Sequence, residues 1–108
     1  MPVYNKLVRD KIPAIIEADG KACTTRILNE KEYELALEKK LVEEVNEFLS
    51  ADEQAESVEE LADILEIIRS LAYVQGSSFE DVERVRADKF ESRGGFKQGV
   101  YLMEVKDE

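Results

Sequence analysis

Residues 41–68 read LVEEVNEFLSADEQAESVEELADILEII, two apolar-periodic stretches joined by a polar connection. Apolar residues three and four apart give each stretch one buried helical face. Glu44 falls in line with Leu37, Leu41 and Phe48, a row that a helix normally buries. Glu60 and Asp63 fall in line with Ile64, Ile67 and Leu71. A merely solvating acid in a core row is costly, so these carboxylates need an explanation.

The spacing is EExxE, twelve residues, then ExxD: Glu43, Glu44, Glu47, Glu60 and Asp63. Glu44 with Glu47, and Glu60 with Asp63, each share a helix face. A short connection folds the helices antiparallel. Glu47 comes just before the reversal and Glu60 just after it, each within about one helical turn, ~5 Å. The two pairs therefore meet at one height. Partly buried carboxylates held together take up protons or bind cations. With no histidine and one lone cysteine, Cys23, the ligands are all hard oxygens. That set favours Mg²⁺, with Mn²⁺ as the alternative ion. Ordinary explanations exist for the same acids. Glu60 is also the capping-box partner expected for Ser57. Glu43 and Glu47 also fit a solvated face, with Lys39 and Lys40 nearby for ion pairs.

Outward from this centre, Asn29 opens an N-E-K-E capping box that starts the first long helix, expected from Glu30 to about Leu49. Residues 50–56 form the connection. The second long helix is expected from the Ser57–Glu60 box to about Val74, stopped by Gly76. A last helix runs from Ser77 or Ser78 to about Ser92, ended by Gly94-Gly95. Upstream, Asp10 is expected to cap a short helix from Lys11 to Ala18, with Pro13 in its first turn and Gly20 after it. Residues 22–28 and 99–105 read as short strands that pair in a small ribbon.

The second long helix carries two apolar stripes: Leu61, Leu65, Ile68 and Ala72, then Val58, Ile64, Ile67 and Leu71. A helix apolar on so much of its circumference must be covered on most sides. The fold expected is an all-α antiparallel bundle of about four helices in one domain, residues 1–108, completed by a second subunit. Phe48, Phe79 and Phe90 are expected in the core. Tyr4, Tyr33, Tyr73 and Tyr101 are candidates for base stacking, with burial the alternative for most of them.

The chain has 108 residues, 44% hydrophobic and 37% charged, with net charge −10. That balance suits a foldable domain and argues against a nucleic-acid polymer as partner. No membrane-length apolar run and no signal-peptide core are present, so a cytoplasmic setting is the simplest expectation.

The acidic arrangement resembles the all-α nucleoside triphosphate pyrophosphohydrolases of the MazG-like superfamily, whose signature is EExxE followed by ExxD. YNKLVRDKIPAIIEADGK at residues 4–21, TRIL at 25–28, EELAD at 59–63 and KFESRGGF at 89–96 extend the resemblance over nearly the whole chain. They look like a small single-domain branch related to phosphoribosyl-ATP pyrophosphohydrolase. The resemblance implies Mg²⁺-dependent hydrolysis of a nucleoside triphosphate to monophosphate and pyrophosphate by a homodimer or higher homo-oligomer. It implies that Glu44, Glu47, Glu60 and Asp63 hold the metal. Glu43 would orient or deprotonate water, or support the ligands. Lys6, Arg9, Lys89 and Arg93 lie in matching stretches and are candidate phosphate contacts. Their alternatives are an N-terminal anchor through Asp10 and, with Arg86, a basic face paired with Glu83 and Asp88. The competing functions are phosphoribosyl-ATP hydrolysis and a non-catalytic helical oligomerisation or regulatory module.

Overall fold

The Asn29 side chain accepts a hydrogen bond from the Glu32 amide at 2.9 Å, and the Glu32 carboxylate accepts from the Asn29 amide at 3.1 Å. This reciprocal cap satisfies two of the donors that a helix start leaves open. The computed structural model describes residues 2–107. Its four helices are α1 (Ile12–Ala18), α2 (Glu30–Ser50), α3 (Gln54–Val74) and α4 (Phe79–Arg93), and the described residues contain no strand. The chain is therefore all-α. No helix among the described residues is long and apolar enough to cross a membrane.

α2 and α3 each have 21 residues, about 31 Å at 1.5 Å per residue, and pack against each other as a hairpin. The connection is only residues 51–53. α3 starts earlier than the Ser57 box predicts. Its N-cap is Glu53, and the Ser57 amide already donates to the Glu53 carbonyl at 3.0 Å. Gln54, Ala55 and Glu56 have good helix propensity, so the helix nucleates upstream and places Ser57 inside it. The expected Ser57–Glu60 cap does not form, and Glu60 loses its purely structural role.

α1 also departs from expectation. Lys11, not Asp10, is its N-cap, and no side chain caps it. A backbone turn from the Ile12 amide to the Arg9 carbonyl, 3.0 Å, replaces the cap. Gly20 and Gly76 have φ of 83° and 79°. Each closes its helix with a pair of returning bonds, such as Ser77 amide to Ala72 carbonyl and Gly76 amide to Tyr73 carbonyl. Ser78 caps α4 through the Asp81 amide.

The two stretches expected as strands carry no ladder. Ile27 is 95% exposed and Tyr101 85%, and no backbone hydrogen bond joins the segments. Short β-branched runs have strand preference, but a strand exists only with a partner edge. Phe90 is exposed rather than in the core, because α4 packs only against α3. Tyr4, Tyr73 and Tyr101 are exposed, contrary to the burial expected for most tyrosines, and Tyr33 is half-buried.

The core of the single chain is small: Leu37, Ile67 and Ala72 are the buried hydrophobic residues. The chain exposes 9994 Å². A folded monomer of 12.3 kDa exposes about 6,100 Å². The radius of gyration is 18.7 Å, against about 13 Å for a compact domain of this length. Bare apolar side chains lie on the hairpin, with Leu35, Val42 and Leu49 on α2 and Val58, Leu61 and Leu65 on α3, and also along the C-terminal segment, with Phe96, Val100, Tyr101, Leu102, Met103 and Val105.

Candidate functional site

Glu44 sits in the α2 row that faces α3, two turns beyond Leu37, and is only 6% exposed. The tight 51–53 turn brings the end of α2 level with the start of α3. One carboxylate oxygen from each of Glu44, Glu47 and Glu60 lies within 4.8 Å of the other two. Glu44 is buried, Glu60 half-buried and Glu47 exposed, so the group opens from the helix interface to solvent. Glu44 Oε2 and Glu60 Oε2 are both shielded from solvent, with no hydrogen-bond donor.

Such oxygens repel one another, and the titration of Glu60 records this. Its carboxyl is pushed up to about 7 from 4.5, chiefly because the protonated form can hydrogen-bond to Glu44. Burial, the hydrogen bond to Glu47 and the charges of both neighbours add to the rise. Below that pH a proton on Glu60 supplies the donor that the ionised cluster lacks. Above it, that proton is lost and the three carboxylates face one another without a donor. Two orphaned buried oxygens and a set of hard-oxygen donors fit a divalent ion such as Mg²⁺.

The fourth expected ligand is elsewhere. Asp63 is not part of the three-carboxylate group. Its Oδ1 accepts a hydrogen bond from Arg9 Nη2 at 2.6 Å. Arg9 thus ties the N-terminal segment to α3 across 54 positions of sequence. The anchor expected through Asp10 is instead this Arg9–Asp63 pair. No local pattern signals it, because neither residue lies in the other's helix or turn.

Glu43 lies one position outside the cluster and is half-buried. Lys40 Nζ is 3.9 Å from Glu43 and 3.6 Å from Glu44. The expectation that Lys40 pairs with nearby acids thus extends to the buried Glu44. Lys6 lies over the Tyr4 ring, 5.7 Å from its centroid. Lys89 and Arg93 are exposed on α4, which touches α3 but not α2. Neither side chain makes a hydrogen bond or ion pair among the described residues. Arg86 pairs with Glu83 at 2.6 Å, as a solvated basic face does. Sequence reasoning overlooked Arg26, whose guanidinium holds both oxygens of Glu32 at 3.1 Å. The Glu32 carboxylate of the capping box is thereby fixed from outside the helix, and its titration is lowered, first by that bond.

No protein-family model matches the chain, and no solved structure matches it. The chain is similar to an uncharacterized protein of Mycolicibacterium smegmatis, 44% identical over 54 residues. The match covers 50% of this chain and 55% of that relative, so the chain spans about half the length of the curated relative it matches.

Proposed function

We propose that this chain is a Mg²⁺-dependent nucleoside triphosphate pyrophosphohydrolase, working as a homodimer or larger homo-oligomer. Water and a nucleoside triphosphate give the monophosphate and pyrophosphate, with attack at the α-phosphorus. The observation that carries the reading is the convergence of Glu44, Glu47 and Glu60 oxygens within 4.8 Å, two of the three side chains having a buried, donorless oxygen. Glu44, Glu47 and Glu60 hold the ion, and Asp63 joins them once Arg9 turns away. Bound Mg²⁺ supplies charge neutralisation for the triphosphate and a more acidic water. Glu43 positions Lys40 beside the cluster. Arg9, released from Asp63, is placed to meet a phosphoryl oxygen.

The oligomer follows from surface that the single chain leaves bare. The excess over a compact monomer is about 3,900 Å² per chain, about 7,800 Å² for a pair, which is above the roughly 2,000–5,000 Å² in total that obligate homodimers commonly bury. Bundle helices that carry facing carboxylates need that cover to exclude water from the site.

The test is a panel of nucleotides with Mg²⁺, scoring pyrophosphate against orthophosphate release. Pyrophosphate is expected. Glu47→Gln and Glu60→Gln should each abolish turnover with helix content unchanged by circular dichroism. Normal activity in both variants rejects the assignment. A non-catalytic oligomerisation module would present the same bare faces. It would show no rise in melting temperature with Mg²⁺ and a non-hydrolysable triphosphate.

A further inference from the structure

We infer that the cleft between the N-terminal segment and α2 is a binding site for a phosphate-sized oxyanion, built around Lys40. The cleft is lined by Asn5, Lys6, Lys39, Lys40 and Glu43, together with Leu7 and Ala36. Its volume is about 60 Å³. That is roughly twice a water's share of liquid volume, room for one phosphoryl group and not for a nucleoside.

Three ammonium groups border this cleft against one carboxylate. In a chain of net charge −10 that is a local reversal of sign. Surface lysines are ordinarily solvated, and Lys39 is exposed. Lys40 is different. Its side chain is only 23% exposed, and its ion pairs with Glu44 and Glu43, at 3.6 and 3.9 Å, are too long to be hydrogen bonds. A lysine ammonium has three donors. Lys40 uses none of them in a hydrogen bond among the described residues. A mostly buried cation with unused donors is stabilised by an oxyanion that offers several acceptors.

Asn5 sets the wall opposite. It is the non-glycine residue with positive φ, 45°, among the described residues. Asparagine tolerates that backbone at lower cost than most residues. Lys6, the next residue, lines the cleft with it. Residues 36, 40, 43 and 47 follow one another three or four apart along α2. The cleft therefore lies about one helical turn, ~5.4 Å, from the carboxylate cluster. If the proposed hydrolysis holds, on which this extension rests, the cleft takes a terminal phosphoryl group while the cluster's ion serves the reacting end.

The test uses the ¹⁵N-labelled full chain in EDTA, titrated with inorganic phosphate at constant ionic strength, with chloride as control. Amide shifts are expected at Lys6, Lys39 and Lys40. An α,β-methylene nucleoside triphosphate should move the same amides if a nucleotide's phosphoryl tail uses the site. If only phosphate moves them, the ligand is a free ion and the substrate extension falls. Lys6→Gln with Lys39→Gln should weaken phosphate binding about 25-fold, about fivefold for each exposed charge contact. Mn²⁺ binding, read by electron paramagnetic resonance, should be unchanged in that variant. Phosphate shifts confined to other residues, or equal binding by wild type and double variant, would overturn the site. The wild-type shift map decides the matter even if the variant fails to fold. Mn²⁺ binding without phosphate binding removes the anion site and leaves the hydrolase reading. Phosphate binding without Mn²⁺ binding does the reverse.

Discussion

Glu44→Gln should stabilise the metal-free chain and destabilise it relative to wild type once Mg²⁺ is present. Glu44 Oε2 is a buried acceptor with no donor, within 4.8 Å of oxygens on Glu47 and Glu60. A glutamine amide at this position turns an orphan acceptor into a donor facing two carboxylates. A hydrogen bond to a charged group contributes about 1.5–3 kcal/mol. Against this stands the lost attraction to Lys40, about 1 kcal/mol, because Glu43 remains 3.9 Å from the same ammonium. The net is about 0.5–2 kcal/mol in favour of the variant, a rise in Tm of roughly 2–16 °C for a domain this size. With Mg²⁺ at a hundred times its dissociation constant, wild type gains about 2.7 kcal/mol. The neutral amide is a poorer ligand than the carboxylate, so the variant gains little and the order of stability inverts. Thermal melts at about pH 8, in EDTA and in Mg²⁺, read both halves. A variant that melts lower than wild type in EDTA refutes the claim that this carboxylate is electrostatically strained. Equal gains from Mg²⁺ in both proteins refute its role as a ligand.

Three further outcomes are expected. The Glu60 carboxyl titrates near 7 in the folded chain and near 4.5 when unfolded, so the folded state binds that proton more tightly. Its stabilising contribution is complete below 4.5 and is lost as pH rises through about 7; melts in EDTA should fall across that window, and a flat profile contradicts the coupling. Leu61→Lys with Leu65→Lys should dissociate the oligomer. Each leucine is 50% exposed in the single chain, and covering the rest contributes about 1 kcal/mol per residue, about 4 kcal/mol over two protomers. That is about a thousandfold in dissociation constant, readable by sedimentation velocity; a wild-type chain that already sediments as a monomer contradicts the bundle. Arg9→Gln should change global stability by less than about 1 kcal/mol, because the pair is partly exposed. It should nevertheless speed tryptic cleavage at Lys6 and Lys11, and an unchanged cleavage rate would show that the pair does not hold the segment.

Much of the hairpin was legible in the sequence because helical periodicity is a local property. The row Leu37, Leu41, Glu44 and Phe48 fixes a face without knowledge of the partner. Asn29 with Glu32 fixes a start in the same local way. The misses share one cause. The Ser57 box was a sound local pattern, but Gln54 to Glu56 extend the helix past it and the cap has nothing left to satisfy. The stretches around Ile27 and Tyr101 carry strand chemistry, yet a ladder depends on an edge that local sequence cannot supply.

The same distinction explains the acidic site. Register alone placed Glu44 in a buried row and levelled Glu47 with Glu60, because a three-residue turn leaves two antiparallel helices little freedom to slide. Register could not tell that Asp63 would be claimed by Arg9, since that choice is made by a segment 54 residues away. An exposed ion pair of this kind contributes about 1 kcal/mol at most. Under the proposed metal binding, a divalent ion shared by three further carboxylates would exceed that readily and displace the pair. The arrangement thus has a consequence that sequence spacing lacks. Asp63 would be available to a cation only once Arg9 let go, and the freed guanidinium would then join Lys40, which already lies 3.6 Å from Glu44, as a positive charge beside the cluster.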